Sequence, residues 1–316
     1  MPDLEKAIID IRETLEKAYP IILKLAGFLE DRDIGRAGPG FEELRRKIEP
    51  VIKTDEEQLG DYRKAREKFI KEASFTTFNR LVGLKALETR GLLEHTVITT
   101  SAATDDLSEA HYLYVSKNPE IRKEPGQGIN DVLEEEFKKL SEELPQLYDG
   151  GRYGFLPRGG DTMRVIGLIN SIPEDEWKKD DIIGWVYQYY NAEEREKLKN
   201  SKSKIDHQTV KYQSQQYTPR WVVKHIVDNT LGRYYLEMYP DSHLYDELEV
   251  PIPRTELKRK REPKKLEEIK ILDPACGSGN FLLYAFELLY KMYLEQGYNE
   301  EEIPSLILKY NLHGID

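Results

Sequence analysis

The 316-residue sequence predicts a mainly α-helical N-terminal region followed by the start of an α/β domain that ends after its second strand. Two observations lead to this prediction. Apolar residues recur at helical spacing early in the chain, as at Leu4, Ile8, Ile11 and Leu15. Near the C-terminus the order becomes strand, glycine turn, apolar helix and second strand, which is typical of parallel strands joined by a helical crossover.

Composition places the chain among globular proteins. Hydrophobic residues make up 39% of the sequence, charged residues 33%, and the formal net charge is −11. An acidic chain binds DNA poorly unless positive charge is concentrated locally. The one cysteine, Cys276, excludes an internal disulfide framework and a cysteine-based zinc site. The start of the sequence lacks the features of a signal peptide, and no apolar run approaches the roughly 20 residues of a membrane span. We therefore expect a cytoplasmic protein without membrane contact.

The helical region is predicted to cover residues 1–200. Helix-prone segments follow one another there, at 4–29, 41–58, 61–73, 75–91, 129–143 and 173–191. Gly91 is expected to end the segment 75–91, because glycine readily adopts the left-handed conformation found after helices. The polar stretch 200–216 has no apolar period and is interpreted as a linker.

The second domain is predicted over residues 201–316. After the linker, Thr218 is expected to cap a helix that begins at Pro219 and ends at Gly232. The apolar β-branched run 269–273 predicts the first strand. An apolar helix, a polar turn and a shorter helix lead to a second short strand within NLHGID, at 311–316.

The turn that follows the first strand, Asp273-Pro274-Ala275-Cys276-Gly277-Ser278-Gly279-Asn280-Phe281, is the most informative motif. Ligands of such sheets bind at the carboxyl ends of the strands. Glycines there allow a close backbone approach, and the following helix directs free N–H groups to the same place. The turn is neither a G-x-G-x-x-G fingerprint, because residue 282 is leucine, nor a phosphate-binding loop, because G-K-[ST] is missing.

This turn resembles motif I of the S-adenosylmethionine-dependent DNA methyltransferases that modify adenine N6. The segment Gln216–Pro219 resembles the motif that precedes motif I in their γ-ordered subgroup, and 311–316 resembles motif II. The resemblance implies a Rossmann-like methyltransferase domain with S-adenosyl-L-methionine as its cofactor. It also implies the cofactor-binding residues, which are Tyr217, Thr218 and Pro219 at the methionine end, Asp273, Pro274, Ala275, Gly277, Gly279, Asn280 and Phe281 in the loop, and Asp316 at the ribose.

Further similarity lies in the helical region. The segments FTTFNRLVGLKALE (75–88) and DIIGWVYQYYN (181–191) resemble parts of the large PglX-like adenine methyltransferases of bacteriophage-exclusion (BREX) systems, and residues 301–316 resemble their approach to motif II. This likeness implies double-stranded DNA as the substrate and phage-defence subunits as partners. Whatever the family, the helix with the Phe-Asn-Arg-Leu segment is predicted to be a packing element.

One departure from the family pattern concerns catalysis. These enzymes hold the adenine amino group with an Asn/Asp-Pro-Pro-Tyr/Phe motif whose aromatic residue stacks on the flipped-out base. Residues 1–316 contain no Asn-Pro-Pro or Asp-Pro-Pro. The sequence therefore predicts an N-terminal fragment without a catalytic residue, inactive alone, whose partner is a second polypeptide carrying the rest of the methyltransferase domain.

Two alternatives stay open. The helical region could be a non-catalytic interaction module of a defence complex. Alternatively, Pro240-Asp241 with Glu256-Leu257-Lys258 fits the permissive pattern of metal-dependent nucleases, although two intervening prolines disfavour the strand that this pattern needs. The basic run 258–265 is interpreted as a solvated loop rather than a DNA clamp. The six histidines include no pair at i, i+4, so the sequence predicts no helical metal site.

Overall fold

The structure, a computed structural model, describes residues 2–193, 195–196, 217–251, 253 and 261–315. The chain forms two compact units, Met1–Ile182 and Ile183–Asp316, which we call the helical unit and the sheet unit. The predicted boundary between residues 200 and 201 lies outside the described residues, so that boundary stays a prediction.

In the helical unit, α-helices lie at the predicted segments, and further helices lie where none was predicted, at 109–117, 145–148 and 159–170. Its α-helices are α1 (Pro2–Leu25), α2 (Glu42–Leu59), α3 (Tyr62–Thr89), α4 (Glu109–Lys117), α5 (Ile129–Leu140), α6 (Pro145–Tyr148), α7 (Gly159–Asn170) and α8 (Glu174–Trp177). Short 3-10 helices cover Ala102–Thr104, Pro119–Lys123 and Gly151–Tyr153. α3 packs against both α1 and α2, and α1 also packs against α7.

α3 joins two segments that the sequence suggested as separate helices, 61–73 and 75–91. No glycine or proline interrupts the pattern between them, and Ser74 is buried inside the continuous helix. The end of α3 confirms the prediction for Gly91, which has φ +68°. The N–H of Leu92 donates to the carbonyl of Leu87 at 3.0 Å, and the N–H of Gly91 donates to Glu88 at 2.9 Å. This is the Schellman arrangement of a helix that ends in glycine.

The Phe-Asn-Arg-Leu segment is a packing element, as predicted. Phe78 and Leu81 are buried in α3. The guanidinium of Arg80 is also buried, donates to the carbonyl of Tyr148 at 2.6 Å and lies over the ring of Phe137, 4.7 Å from its centroid. A buried arginine is stable here because a carbonyl and an aromatic face replace its water.

The single helix predicted over 173–191 is wrong. The structure has α8 and then α9 (Ile182–Tyr190), with a turn between them. The intervening residues 178–181 are all charged, so this stretch offers no apolar side chain to a core. Trp177 closes α8 as a fully buried residue.

The sheet unit begins within α9 and contains the predicted strand–helix–strand order. Its elements are α10 (Arg220–Val227), a π-helical turn (Asp228–Gly232), α11 (Arg233–Met238), α12 (Leu244–Glu247), a 3-10 turn (Leu266–Glu268), β1 (Ile271–Asp273), α13 (Asn280–Glu295), α14 (Ile303–Tyr310) and β2 (Leu312–Gly314). β1 and β2 are parallel, with Ile271 opposite Leu312 and Asp273 opposite Gly314. This confirms the predicted parallel pair.

The helix predicted from Pro219 to Gly232 differs at both ends. It begins at Arg220, because Pro219 has the extended ψ of 142° and precedes the helix, and no side chain caps it. Gly232 has a helical φ of −57°, and the chain continues through the π-helical turn into α11. A Cβ at residue 232 would lie 3.2 Å from the side chain of Leu248, a tight contact, so this glycine lies in close packing and does not end the helix.

The core of the sheet unit centres on α13. Leu288, Leu289 and Met292 are buried there among residues of α10, α11 and α14, and Ile271 and Leu312 pack against this cluster from the strands. Over the parts of the chain that the structure describes, no helix combines the length and apolar character needed to cross a membrane.

Candidate functional site

The turn after β1 contains two glycines with positive φ and is closed by a side-chain hydrogen bond. The carboxylate of Asp273 accepts the N–H of Ala275 at 3.1 Å, which closes the turn at the strand end. Gly277 and Gly279 have φ of +51° and +79°, a region that favours glycine. Among the residues that the structure describes, no atom beyond the chain neighbours of each glycine lies within 4 Å of where its Cβ would stand. The turn lies directly before α13, where the first N–H groups of a helix are unpaired within the helix.

β2 brings a second segment to the same turn. The N–H of Ile315 donates to the carbonyl of Asp273 at 2.9 Å, and the N–H of Cys276 donates to the carbonyl of Ile315 at 3.0 Å. Asp316, the predicted ribose ligand, lies outside the described residues. A Cβ at Gly314 would lie 2.9 Å from the Leu282 side chain and 3.0 Å from the Cys276 sulfur. Gly314 therefore allows the strand to approach the turn, and Cys276 fills space there as a small residue.

The predicted Thr-Pro segment also reaches this turn. The side-chain amide of Asn280, the first residue of α13, donates to the carbonyl of Thr218 at 2.8 Å. Pro219 then leads into α10, which packs against α13. Two predicted site segments that are 62 residues apart in sequence are thus joined by a direct hydrogen bond.

Tyr217, the first residue of this segment, contacts α9. Its N–H donates to Oε1 of Gln188 in α9 at 2.9 Å, and its ring lies against that of Trp185 with 5.0 Å between centroids. Residues 217 to 219 are all half-buried. The segment is consequently bonded to α9 through Tyr217 and to α13 through Thr218.

A buried carboxylate fixes α10 to α13 behind the turn. Asp228, only 1% exposed, accepts the hydroxyl of Tyr284 at 2.8 Å and the N–H groups of Glu249 and Val250 at 3.1 and 2.9 Å. Burial, together with the neighbouring Asp228 carboxylate, raises the pKa of Tyr284 well above its ordinary value, so this hydroxyl stays a donor. At the helix start, Arg220 reaches both carboxylate oxygens of Glu287 at 3.3 Å.

A cavity of about 610 Å³ runs along β1 within the sheet unit. Its walls are mainly apolar and include Ile226 and Tyr234 from the α10–α11 side and Leu282 from α13. Three predicted site residues, Asp273, Pro274 and Phe281, also line it. The parallel register turns the backbone groups of Ile271 and Asp273 toward β2, so those of the intervening residue 272 face away from β2.

The nuclease pattern gains no supporting geometry. Asp241 lies in the exposed turn after α11, whereas Glu256 and Lys258 are outside the described residues. Within the described ranges, no three or more His, Cys, Asp or Glu side chains are grouped so that they could hold a metal ion. Of the basic run 258–265, Arg261 donates to buried Glu237 at 2.9 Å and lies over the ring of Tyr234 at 4.4 Å.

Sequence reasoning missed several residues that shape this site. They are Gly184 and Gln188 in α9, Asp228 in the π-helical turn, and Gly314 in β2. A glycine inside the apolar helix pattern at 184 was the one local signal, since glycine weakens a helix unless packing requires it. The role of Asp228 depends on partners 21 to 56 residues away and leaves no local pattern.

Comparison with known proteins finds similarity to methyltransferases. A family model described as the MmeI DNA-methyltransferase domain matches residues 253–316. The adenine-specific methyltransferase BrxX of Escherichia coli O9:H4 (strain HS) is 30% identical over 282 residues, which cover 79% of this chain and 23% of that protein. The adenine-specific methyltransferase PglX of Lacticaseibacillus casei (strain Zhang) is 26% identical over 333 residues, covering 87% of this chain and 26% of that protein. The chain thus spans about a quarter of the length of these relatives.

Proposed function

We propose that this chain, which is similar to the adenine-specific methyltransferases BrxX and PglX, carries the cofactor-binding part of an S-adenosylmethionine-dependent DNA adenine-N6 methyltransferase of a phage-defence system. The substrate is double-stranded DNA, and the protein acts in the cytoplasm. The domain around β1 and β2 is Rossmann-like.

The hydrogen bond from Asn280 to Thr218 is the observation that supports this proposal most directly. It joins the Tyr217–Pro219 segment to the glycine turn, so both can contact one ligand. We assign the methionine end of the cofactor to Tyr217–Pro219. The turn residues Asp273, Pro274, Ala275, Gly277, Gly279, Asn280 and Phe281 form the loop beneath it, and Asp316 takes the ribose.

The residues present fit a cationic cofactor with a nucleoside. Asp273 provides a carboxylate at the strand end, and its free oxygen can accept a hydrogen bond from an amine. The open space at Gly277 and Gly279 admits a ligand against the backbone. When bound, S-adenosylmethionine would supply the methyl group, and these residues would orient it.

The proposal also covers what residues 1–316 do by themselves. They contain no Asn-Pro-Pro-aromatic motif to place the adenine amino group in line with the methyl donor. We therefore propose that they transfer no methyl group alone and act with a polypeptide that carries the remaining methyltransferase elements, together with other phage-defence subunits.

Isothermal titration of chain 1–316 with S-adenosylmethionine tests the cofactor assignment. Binding should be detectable in the wild type and at least about tenfold weaker in Asp273→Ala, because a charge-assisted hydrogen bond is worth about 1.5–3 kcal/mol. Asp241→Ala removes an exposed carboxylate elsewhere and should bind like the wild type. No binding by the wild type, or equal binding by both variants, would contradict the assignment.

A methyl-transfer assay tests the second part. Chain 1–316 with labelled S-adenosylmethionine and double-stranded DNA should leave adenine N6 unmethylated, and addition of a polypeptide with the Asn-Pro-Pro-aromatic motif from a relative should restore transfer. Adenine methylation by 1–316 alone would refute this part. Mg²⁺-dependent cleavage of the DNA that disappears in Asp241→Ala would favour the nuclease alternative instead.

A further inference from the structure

We propose that α9 is a positioning element of the cofactor site, and that Gly184 and Gln188 hold the Tyr217–Pro219 segment in its working place. This inference rests on the proposed function for the role of that segment. α9 contains most of the segment 181–191, which so far has only a likeness to other sequences and no chemical role.

The first contact is a hydrogen bond to the backbone. Oε1 of Gln188 accepts the N–H of Tyr217 at 2.9 Å. Pro219 follows two residues later and fixes its own φ, so the backbone between the two has few remaining degrees of freedom. A bond at Tyr217 therefore also restricts where the carbonyl of Thr218 points.

The second contact explains a glycine inside a helix. A Cβ at Gly184 would lie 1.9 Å from Cε2 and 2.0 Å from Cδ2 of the Tyr217 ring. Gly184 lies inside α9 and has no positive φ, so its backbone conformation does not require glycine. Alanine stabilises the interior of a helix more than glycine does. The glycine is thus explained by the room that the Tyr217 ring occupies.

Trp185 completes this surface of α9. Its ring lies 5.0 Å from the Tyr217 ring and stacks on Tyr189 at 5.9 Å. The Tyr217 ring is therefore placed by Gly184 beneath it and by the indole beside it. These α9 residues contact Tyr217, so their effect on a ligand at the glycine turn passes through Tyr217 and Thr218.

Tyr217 and Thr218 form hydrogen bonds with two different helices. Tyr217 is tied to α9, whereas the carbonyl of Thr218 accepts from Asn280 at the glycine turn. Displacing Tyr217 from α9 should move Thr218 relative to the turn. Gln188 and Gly184 are accordingly positioning residues, and the cofactor group affected is its methionine end.

Hydrogen exchange in chain 1–316 tests the positioning directly, without any ligand. Gln188→Leu removes the acceptor, and we expect the Tyr217 amide to exchange about tenfold faster. Gln188→Glu keeps an acceptor oxygen at the same place and should restore protection to near the wild-type rate. Peptides from α13 should exchange equally in all three proteins. Wild-type exchange at Tyr217 in Gln188→Leu would overturn the proposal.

Gly184→Ala provides an independent variant. It should displace the Tyr217 ring and speed hydrogen exchange at the backbone amides of Tyr217 and Thr218. Gly167→Ala in α7 is the matched control, because no atom lies within 4 Å of its added Cβ. If Gly184→Ala fails to fold by circular dichroism, the two Gln188 variants decide the matter alone. A folded Gly184→Ala protein with unchanged exchange would refute the role of the ring.

Ligand affinity then separates positioning from general loss of structure. Gln188→Leu should bind S-adenosylmethionine about tenfold more weakly than the wild type and bind adenosine equally well, since adenosine has no methionine end. Equal losses for both ligands would contradict a positioning role. If the wild type binds neither ligand, the proposed function fails, whereas the exchange rates still show whether α9 holds the segment.

Discussion

The helical unit and the sheet unit bury polar groups in the same way but differ in what they leave exposed. In the helical unit, the carboxylate of Asp55 is fully buried and bonded to Lys68, Arg152 and Tyr153. In the sheet unit, Asp228 is buried with three donors of its own. The contrast lies in where the exposed apolar residues stand. In the sheet unit they lie beside the site, where Leu272 and Ile315 are each 59% exposed and Trp221 is 69% exposed, whereas Leu92 of the helical unit, 65% exposed, follows the end of α3.

This contrast shows which parts of each unit carry its stability. Successive side chains of a strand face opposite sides of the sheet. Ile271 therefore packs against the core of the sheet unit, while Leu272 faces the other side. Parallel sheets normally have both faces covered. The helical unit is therefore held by its buried core, whereas the sheet unit is held by its helices and leaves the Leu272 side of its strands exposed.

Removal of a core aromatic residue from the helical unit should have the largest effect. Phe69 is fully buried, and its ring contacts those of Tyr19, Tyr153 and Phe155. Phe69→Ala should lower the free energy of unfolding by about 3–5 kcal/mol, because it leaves a large cavity. Urea unfolding can be followed through Trp177 after Trp185 and Trp221 are replaced by phenylalanine. Leu92→Ala, at an exposed site, should change the value by no more than about 0.5 kcal/mol.

The buried carboxylate of the sheet unit should give an intermediate effect. In Asp228→Asn, either the amide N–H₂ or a weaker amide oxygen faces the N–H groups of Glu249 and Val250. We expect the free energy of unfolding to fall by about 1–3 kcal/mol. Asp241→Asn makes the same chemical change at an exposed site and is the control. Urea dependence of hydrogen exchange in α13 measures both. Equal values for the two variants would show that Asp228 is not a structural anchor.

An ion pair in the sheet unit should give a pH-dependent effect. Burial alone would raise the pKa of Glu237, but hydrogen bonds from Arg233 at 3.0 Å and Arg261 at 2.9 Å outweigh it and hold this pKa below its ordinary value. When folding lowers the pKa of a carboxyl group, the group stabilises the folded protein at any pH above its pKa in the unfolded state, which is about 4.3 for glutamate. This contribution is lost as the pH falls through the pKa of the group in the folded state. The stability difference between wild type and Glu237→Gln should therefore shrink from pH 7 to pH 3. Glu301→Gln is the surface control, and a difference that grows toward acid would refute this sign.

The exposed strand residue should have the smallest effect on stability and a visible effect on association. Leu272→Lys should change the free energy of unfolding by less than about 1 kcal/mol, because the side chain is already mostly in water. Sedimentation over a concentration series should show less self-association than in the wild type, since a charge at a strand edge disfavours pairing. Leu92→Lys places the same charge on the helical unit and should not alter association. Equal behaviour of the two variants would remove the contrast between the units.

Local patterns predicted much of the fold. The apolar spacing located most helices, and the glycine at 91 ended α3 as expected. The β-branched run before the glycine turn located β1, and the parallel pairing followed from the order of elements. These features depend on residues that lie within a few positions of one another.

The remaining features depend on partners that are distant in sequence. Gly232 has the same local appearance as a helix-ending glycine, but it has a helical φ and packs closely against Leu248. Gln188 and Tyr217 are 29 residues apart, and the residues between them are mostly polar. Such contacts leave no periodic signal, so the turn and the Thr-Pro segment could be proposed as one site only through the family likeness.

The hydrogen bond from Asn280 to Thr218 has an evolutionary consequence. It closes a loop of about 60 residues, and the entropy of closing a flexible loop grows only with the logarithm of its length. Doubling that length would cost only about 0.6 kcal/mol. Insertions and deletions between Val250 and Arg261 should therefore be frequent among homologous sequences, while the buried Leu248 and the two residues that meet at the turn keep their geometry.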